Sequence, residues 1–142
     1  MIAHLELDGD SIEVVTLLQP TSPLRRADHI VEAMQYYRDK RASAVVSVCE
    51  TEHSPIWSNQ LPEDFSLSEF LPKQYLNKRS QDLPVFYRIN GALYITDVKE
   101  LKRQRKFMLE ENSFAFLMDN MSSVDIDVEL DFKLAELIME SG

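Results

Sequence analysis

From Ile12 to Leu18 the sequence reads IEVVTLL, a nearly unbroken apolar run rich in β-branched residues, the pattern of a strand covered on both faces. A central parallel strand is expected there. A turn bearing Pro20 and Pro23 follows, after which Ile30, Met34 and Tyr37 recur at helical spacing to about Lys40. Ala44 to Val48, AVVSV, then reads as another buried strand. Further on, Asp97 can cap a helix running to about Arg105, with Glu100 at the position that completes a capping box. Leu130, Leu134, Leu137 and Ile138 form one apolar face of a last helix. Elements alternating in this way predict an α/β sandwich with a mostly parallel sheet.

With 142 residues, 44% of them hydrophobic and only three glycines, the chain is long enough for one modest folded domain. A formal net charge of −9 without a dense Lys/Arg tract argues against nucleic acid or an anionic membrane as partner. A phosphate-bearing substrate stays compatible with that charge if a metal and a few local basic groups neutralise it. Cys49 is the only cysteine, which excludes an intrachain disulfide or a cysteine-cluster metal site. No apolar run reaches the roughly 18 residues of a membrane span, and the acidic N-terminus lacks the basic start of a signal peptide. A cytoplasmic protein is expected.

Residues 55–84 break the rhythm, because Trp57, Phe65, Phe70 and Tyr75 lie among prolines, charges and amides without a long periodic segment. Such an insertion is either a surface excursion or a segment held by a partner. Four large aromatics would expose much apolar area in water, which favours an interface.

Several polar groups fall where a site would lie in such a fold. Gln19 follows the first strand, and Thr21, Ser22 and Arg25 lie in or beside the next turn. In open parallel sheets, ligands gather at the carboxyl ends of strands, although a polar strand-to-helix connection is commonly just a connection. Asp125 and Asp127, two apart in SVDIDVELD, project to one side if the stretch is extended, and two such carboxylates can share a divalent cation. Alternatively Asp127 caps the last helix, with Glu129 and Asp131 at its positive end. In RINGALYI, Arg88 to Ile95, Asn90 can donate and accept hydrogen bonds and Gly91 allows an unusual backbone angle. A turn followed by a core strand accounts for the same residues. His53 reads more readily as a loop hydrogen bonder than as a general base, and Cys49 as a small apolar residue. The cluster of Lys102, Arg103, Arg105 and Lys106 reads as a solvated helix face.

QPTSPLR at Gln19 to Arg25, RSQDLP at Arg79 to Pro84, RINGALYI and SVDIDVELD occur in the order found in the acylneuraminate cytidylyltransferases, the CMP-sialic acid synthetases, which the chain closely resembles from about Ile12 onward. The resemblance implies a Rossmann-like three-layer nucleotidyltransferase sandwich and transfer from CTP to a sialic acid, assisted by Mg²⁺. Asp125 and Asp127 then become the metal-binding and catalytic acids. Gln19, Ser22, Arg79, Asn90 and Tyr94 become substrate-binding residues, while Arg25 and Arg88 are less secure. Residues 55–84 correspond to a dimerisation and substrate-lid insertion, implying a homodimer or larger assembly. The family's glycine-rich CTP loop has no counterpart before Gln19, so the resemblance implies a partial domain over 1–142, the C-terminal part of such an enzyme. Two alternatives remain: an inactive remnant that binds sugar and dimerises, or an enzyme for legionaminic or another nonulosonic acid.

Overall fold

A computed structural model describes residues 11–141. The elements in chain order are β1 (Val14–Leu17), α1 (Ala27–Lys40), β2 (Ala44–Glu50), β3 (Tyr87–Asp97), α2 (Val98–Gln104), β4 (Ser113–Leu117) and α3 (Glu129–Ser141). The chain divides into two compact units, one formed by the residues up to Cys49 with those from Ile89 onward, the other by Glu50–Arg88.

The four strands form one sheet in the order β1-β3-β2-β4. β2 and β4 pair in parallel, Ala44 beside Ser113 and Val48 beside Leu117. β1 pairs antiparallel with β3, Val14 beside Asp97 and Leu17 beside Tyr94. β3 also runs against β2, since the Asp97 N–H donates to Ser43 O at 2.9 Å while Ser47, four residues on, meets Leu93, four residues back. This arrangement corrects the expectation of a mostly parallel sheet with β1 at its centre. Three strands share a direction, but β3 enters between β1 and β2 and reverses both of its pairings. β1 is left at an edge of the sheet formed by the described residues, and its residues are only partly covered.

The core follows the periodicity of the sequence. Ala33, Ala42, Val45, Leu93 and Ile95 are buried together, with Ile30, Met34 and Tyr37 of α1 and Phe114 and Phe116 of β4 packed against them. α1 ends where Arg41 takes a left-handed conformation (φ 48°). The Asp97 carboxylate caps α2 by accepting from the Glu100 N–H at 3.0 Å. Glu100 does not close the expected box, because its carboxylate pairs with Arg103 and Gln104 on the following turn. The face expected on α3 is only partly covered: Leu130, Leu134 and Leu137 are exposed, Ile138 is half-buried, and Ala135 is the buried residue of that helix.

The Glu50–Arg88 unit holds short 3-10 turns at Pro55–Trp57, Lys73–Tyr75 and Ser80–Asp82. Phe65 is exposed, while Trp57, Phe70 and Tyr75 are half-buried. A cavity of about 320 Å³ within this unit is lined by residues that include His53, Trp57 and Gln81.

Candidate active site

Three segments far apart in sequence meet at Gly91. The Ser22 N–H bonds back to Gln19 O at 3.3 Å, closing the turn after β1. Arg25 locks that turn to β3, donating to Gln19 O at 3.2 Å and to Ala92 O at 2.6 Å. Burial lowers the pKa of its guanidinium, yet Arg remains charged, so this residue supports the turn. On the other side, the Ile126 N–H donates to Thr21 O at 2.8 Å and draws the aspartate segment against the same turn.

Gly91 has φ +75°, a conformation costly for a residue with a side chain. A Cβ there would lie 2.5 Å from Gln19 Oε1, 3.3 Å from Asp125 Oδ2 and 3.6 Å from Ser22 Oγ. The bare backbone thus leaves a small cradle rimmed by three oxygen atoms. Ser22 Oγ and Asp125 Oδ1 are buried without a hydrogen-bond partner. Such polar atoms are costly to leave unpaired in a closed interior, so this pair marks a place where water or a ligand group would be held. Tyr94 stands nearby with its ring edge-on to Phe107. Burial, and secondarily the negative charge of Asp125, raises the Tyr94 pKa, keeping its hydroxyl protonated as a donor.

The two aspartates differ in setting. Asp125 is half-buried against the cradle, whereas Asp127 is exposed at the bend before α3. Asp127 does not cap that helix with its carboxylate. Asp131 does so from inside the first turn, its Oδ2 accepting from the N–H groups of Asp127 at 3.0 Å and Val128 at 2.9 Å. Among the described residues there is no group of three or more His, Cys, Asp or Glu side chains placed to hold a metal. Two carboxylates without such a cage suit a hard cation that keeps much of its water shell, as Mg²⁺ does.

The other sequence-derived residues fall elsewhere. Asn90, expected to reach the sugar, is only 1% exposed, and its amide is fully occupied. Its Oδ1 accepts from Ser47 Oγ at 2.6 Å and the Ala92 N–H at 3.2 Å, and its Nδ2 donates to Ser123 Oγ at 2.8 Å and faces Met118 Sδ at 3.6 Å. Direct contact with a ligand would require breaking that set. Arg79 belongs to the Glu50–Arg88 unit and is exposed, its guanidinium gripping Asp82 at 3.0 and 3.3 Å. Arg88 pairs with Glu52 at 2.9 Å in the same unit. Cys49 is a buried free thiol and His53 is exposed. Reading the sequence missed Ser47 and Ser123, because isolated serines carry no signal until their partners are known.

The fold has a solved counterpart. The chain aligns over 97% of its length, and 64% of the other's, with a 4-diphosphocytidyl-2C-methyl-D-erythritol synthase from Anaerococcus prevotii, at TM-score 0.58 and 13% identity. That likeness shows the fold alone, a Rossmann-like α/β sandwich. In sequence, the chain is 36% identical over 129 residues to an N-acylneuraminate cytidylyltransferase of Escherichia coli, covering 90% of this chain and 30% of that protein. A Streptococcus agalactiae protein of the same name is 34% identical over 134 residues, covering 93% of this chain and 32% of its own length. A CMP-N,N'-diacetyllegionaminic acid synthase of Legionella pneumophila is 31% identical over 126 residues, 89% of this chain and 53% of that protein. No protein-family model matches. Over most of its length the chain is similar to acylneuraminate cytidylyltransferases, and it spans about a third of the length of the first of these relatives. No helix among the described residues is long and apolar enough to cross a membrane.

Proposed function

We propose that the chain contributes the sugar-facing and cation-facing part of a cytidylyltransferase that joins CTP to a nonulosonic acid of the sialic or legionaminic type. The observation that carries this reading is the Gly91 cradle, where Gln19, Ser22 and Asp125 converge and two buried oxygens lack partners. In the reaction, the sugar's anomeric hydroxyl oxygen bonds to the α-phosphorus of CTP as the bond to the β-phosphate oxygen breaks. Pyrophosphate departs, and the hydroxyl proton passes to solvent.

Asp125 and Asp127 would hold Mg²⁺, which supplies charge neutralisation at the phosphates. Gln19 accepts from a sugar hydroxyl through Oε1, Ser22 donates its free hydroxyl, and neutral Tyr94 offers a second donor beside Asp125. Gly91 lets the substrate approach the backbone closely. Holding the sugar and aligning it for in-line attack is the main work of such side chains. In this reading the exposed apolar groups of residues 55–84, Phe65 among them, meet a second copy in a homodimer.

The test incubates the full-length protein with CTP, Mg²⁺ and either N-acetylneuraminic acid or N,N'-diacetyllegionaminic acid, following pyrophosphate release and CMP-sugar formation. Mg²⁺-dependent product with one of these acids supports the reading. Absence of product with both, in protein that is folded by circular dichroism, refutes it. Light scattering on the same sample reads the dimer.

A further inference from the structure

We infer that Asp119 serves the reaction as a positioning residue: it closes the turn that precedes Asp125 and, through Ser122, ties that turn to Arg26 at the start of α1. The inference rests on the cytidylyl-transfer function proposed for the chain. The Asp119 carboxylate folds back on the residues after it, Oδ1 accepting from the Ser122 N–H at 2.8 Å and Oδ2 from the Ser122 hydroxyl at 2.9 Å. Its backbone takes a third bond, from Ser123 Oγ to Asp119 O at 2.6 Å. The Ser123 N–H donates to Asn120 O at 3.1 Å, and Met121–Ser123 form a 3-10 turn that Ser123 closes. Asp119 faces solvent, whereas Ser122 is 4% and Ser123 0% exposed, so these bonds run inward from a surface carboxylate.

Both ends of the segment that carries Asp125 are thereby pinned. Ahead of the turn, the Met118 N–H donates to Val48 O of β2 at 2.8 Å. After it, Val124 is extended (φ −65°, ψ 126°), and the Ile126 N–H donates to Thr21 O at 2.8 Å. Only Val124 and Asp125 lie between the closed turn and that bond, which leaves the Asp125 backbone little freedom. Ser122 adds a second tie to the region after β1, since its Oγ accepts from Arg26 Nη1 at 3.2 Å while donating to Asp119. Arg26 directs its own N–H to His29 Nδ1 at 3.2 Å, inside the first turn of α1. One hydroxyl therefore joins the turn before Asp125 to the helix that follows the Gln19–Arg25 turn, and Asp119 orients that hydroxyl. Loss of the carboxylate lets the turn open and Asp125 drift, and a displacement of about 1 Å at a reacting site can cost roughly hundredfold in rate.

The test reads activity and local order in the full-length protein. Asp119→Ala and Ser122→Ala should each lower kcat roughly tenfold or more with the sugar KM changed less than about twofold, because a misplaced Asp125 harms alignment more than binding. Asp119→Asn keeps one acceptor for the Ser122 N–H and should lose less. In hydrogen exchange followed by NMR, the Ile126 amide should exchange at least about tenfold faster in both alanine variants, beyond any change at the Leu93 amide of β3. Such a local loosening separates positioning from a general loss of stability. Should Asp119→Ala fail to fold, Ser122→Ala carries both readings. Wild-type kcat in the folded alanine variants, or an Ile126 rate that moves only in step with Leu93, would overturn the inference. If the parent protein makes no CMP-sugar, the functional reading fails by itself, and the Ile126 rates still decide whether Asp119 holds the Asp125 segment.

Discussion

The Gly91 cradle and the Glu50–Arg88 unit both contain residues that the motifs mark as substrate-binding, yet they hold them in opposite ways. Around Gly91, Ser22 and Asn90 are buried while Gln19 and Asp125 are half-buried, and the Asn90 amide that shapes the backbone has its hydrogen bonds filled from inside. In the Glu50–Arg88 unit the charged groups sit in water, with Arg79 on Asp82 and Arg88 on Glu52. Exposed pairs of this sort open at little cost, whereas a buried amide released from its partners loses a full set of hydrogen bonds. The first region is therefore built to be fixed before a ligand arrives, and the second to exchange partners.

The sharpest way to break this contrast is at Asp125. Asp125→Asn keeps the size and removes the charge, and turnover of the full-length protein should fall by about hundredfold or more, with partial recovery at higher Mg²⁺. A loss smaller than that of Asp127→Asn would mean that the exposed acid, and not the half-buried one, carries more of the reaction.

Next in size is Gly91→Ala. A Cβ 2.5 Å from Gln19 Oε1, at φ +75°, should cost roughly 1–2 kcal/mol in denaturant unfolding and displace Gln19. Unchanged stability would show that the cradle is loose, and the contrast between the regions would weaken.

A smaller effect is expected from pH. Asp119 accepts from the Ser122 N–H and hydroxyl at 2.8 and 2.9 Å, and the backbone bond foremost holds its carboxyl below the usual range. Its contribution is present above the unfolded-state pKa and is lost as pH falls through the lower folded value. Asp119→Asn should therefore flatten the acid limb of a stability profile and change little near neutrality. An unaltered acid limb would remove Asp119 from the support of the Ser122–Asp125 segment.

The smallest change should come from Asp82→Ala, which frees Arg79. Stability should move by less than about 1 kcal/mol, an effect that fades with added salt. A larger loss would mean that the Glu50–Arg88 unit is as tightly cross-braced as the cradle.

Local patterns were legible wherever the physics is local. The apolar run of β1, the Ile30, Met34 and Tyr37 stripe of α1 and the Asp97 cap of α2 can each be read within a window of a few residues, and each appears in the structure. The largely exposed face of α3 was legible as a stripe but not as an exposed one, because periodicity reports which residues share a side and not what lies opposite. The direction of β3 was hidden for a related reason, since an antiparallel strand entering between β1 and β2 leaves no mark on either run.

By itself, then, the sequence determined the α/β class, the main segments and, through its motifs, the resemblance to the acylneuraminate cytidylyltransferases. Tertiary structure alone decided that Gln19, Ser22, Gly91 and Asp125 share one cradle, that Asp131 rather than Asp127 caps α3, and that the Asn90 amide is spent inside the protein. Propensity and periodicity act between residues near one another in the chain. Hydrogen-bond satisfaction is settled between groups such as Ser47, Asn90 and Ser123, which become neighbours only when the sheet has formed.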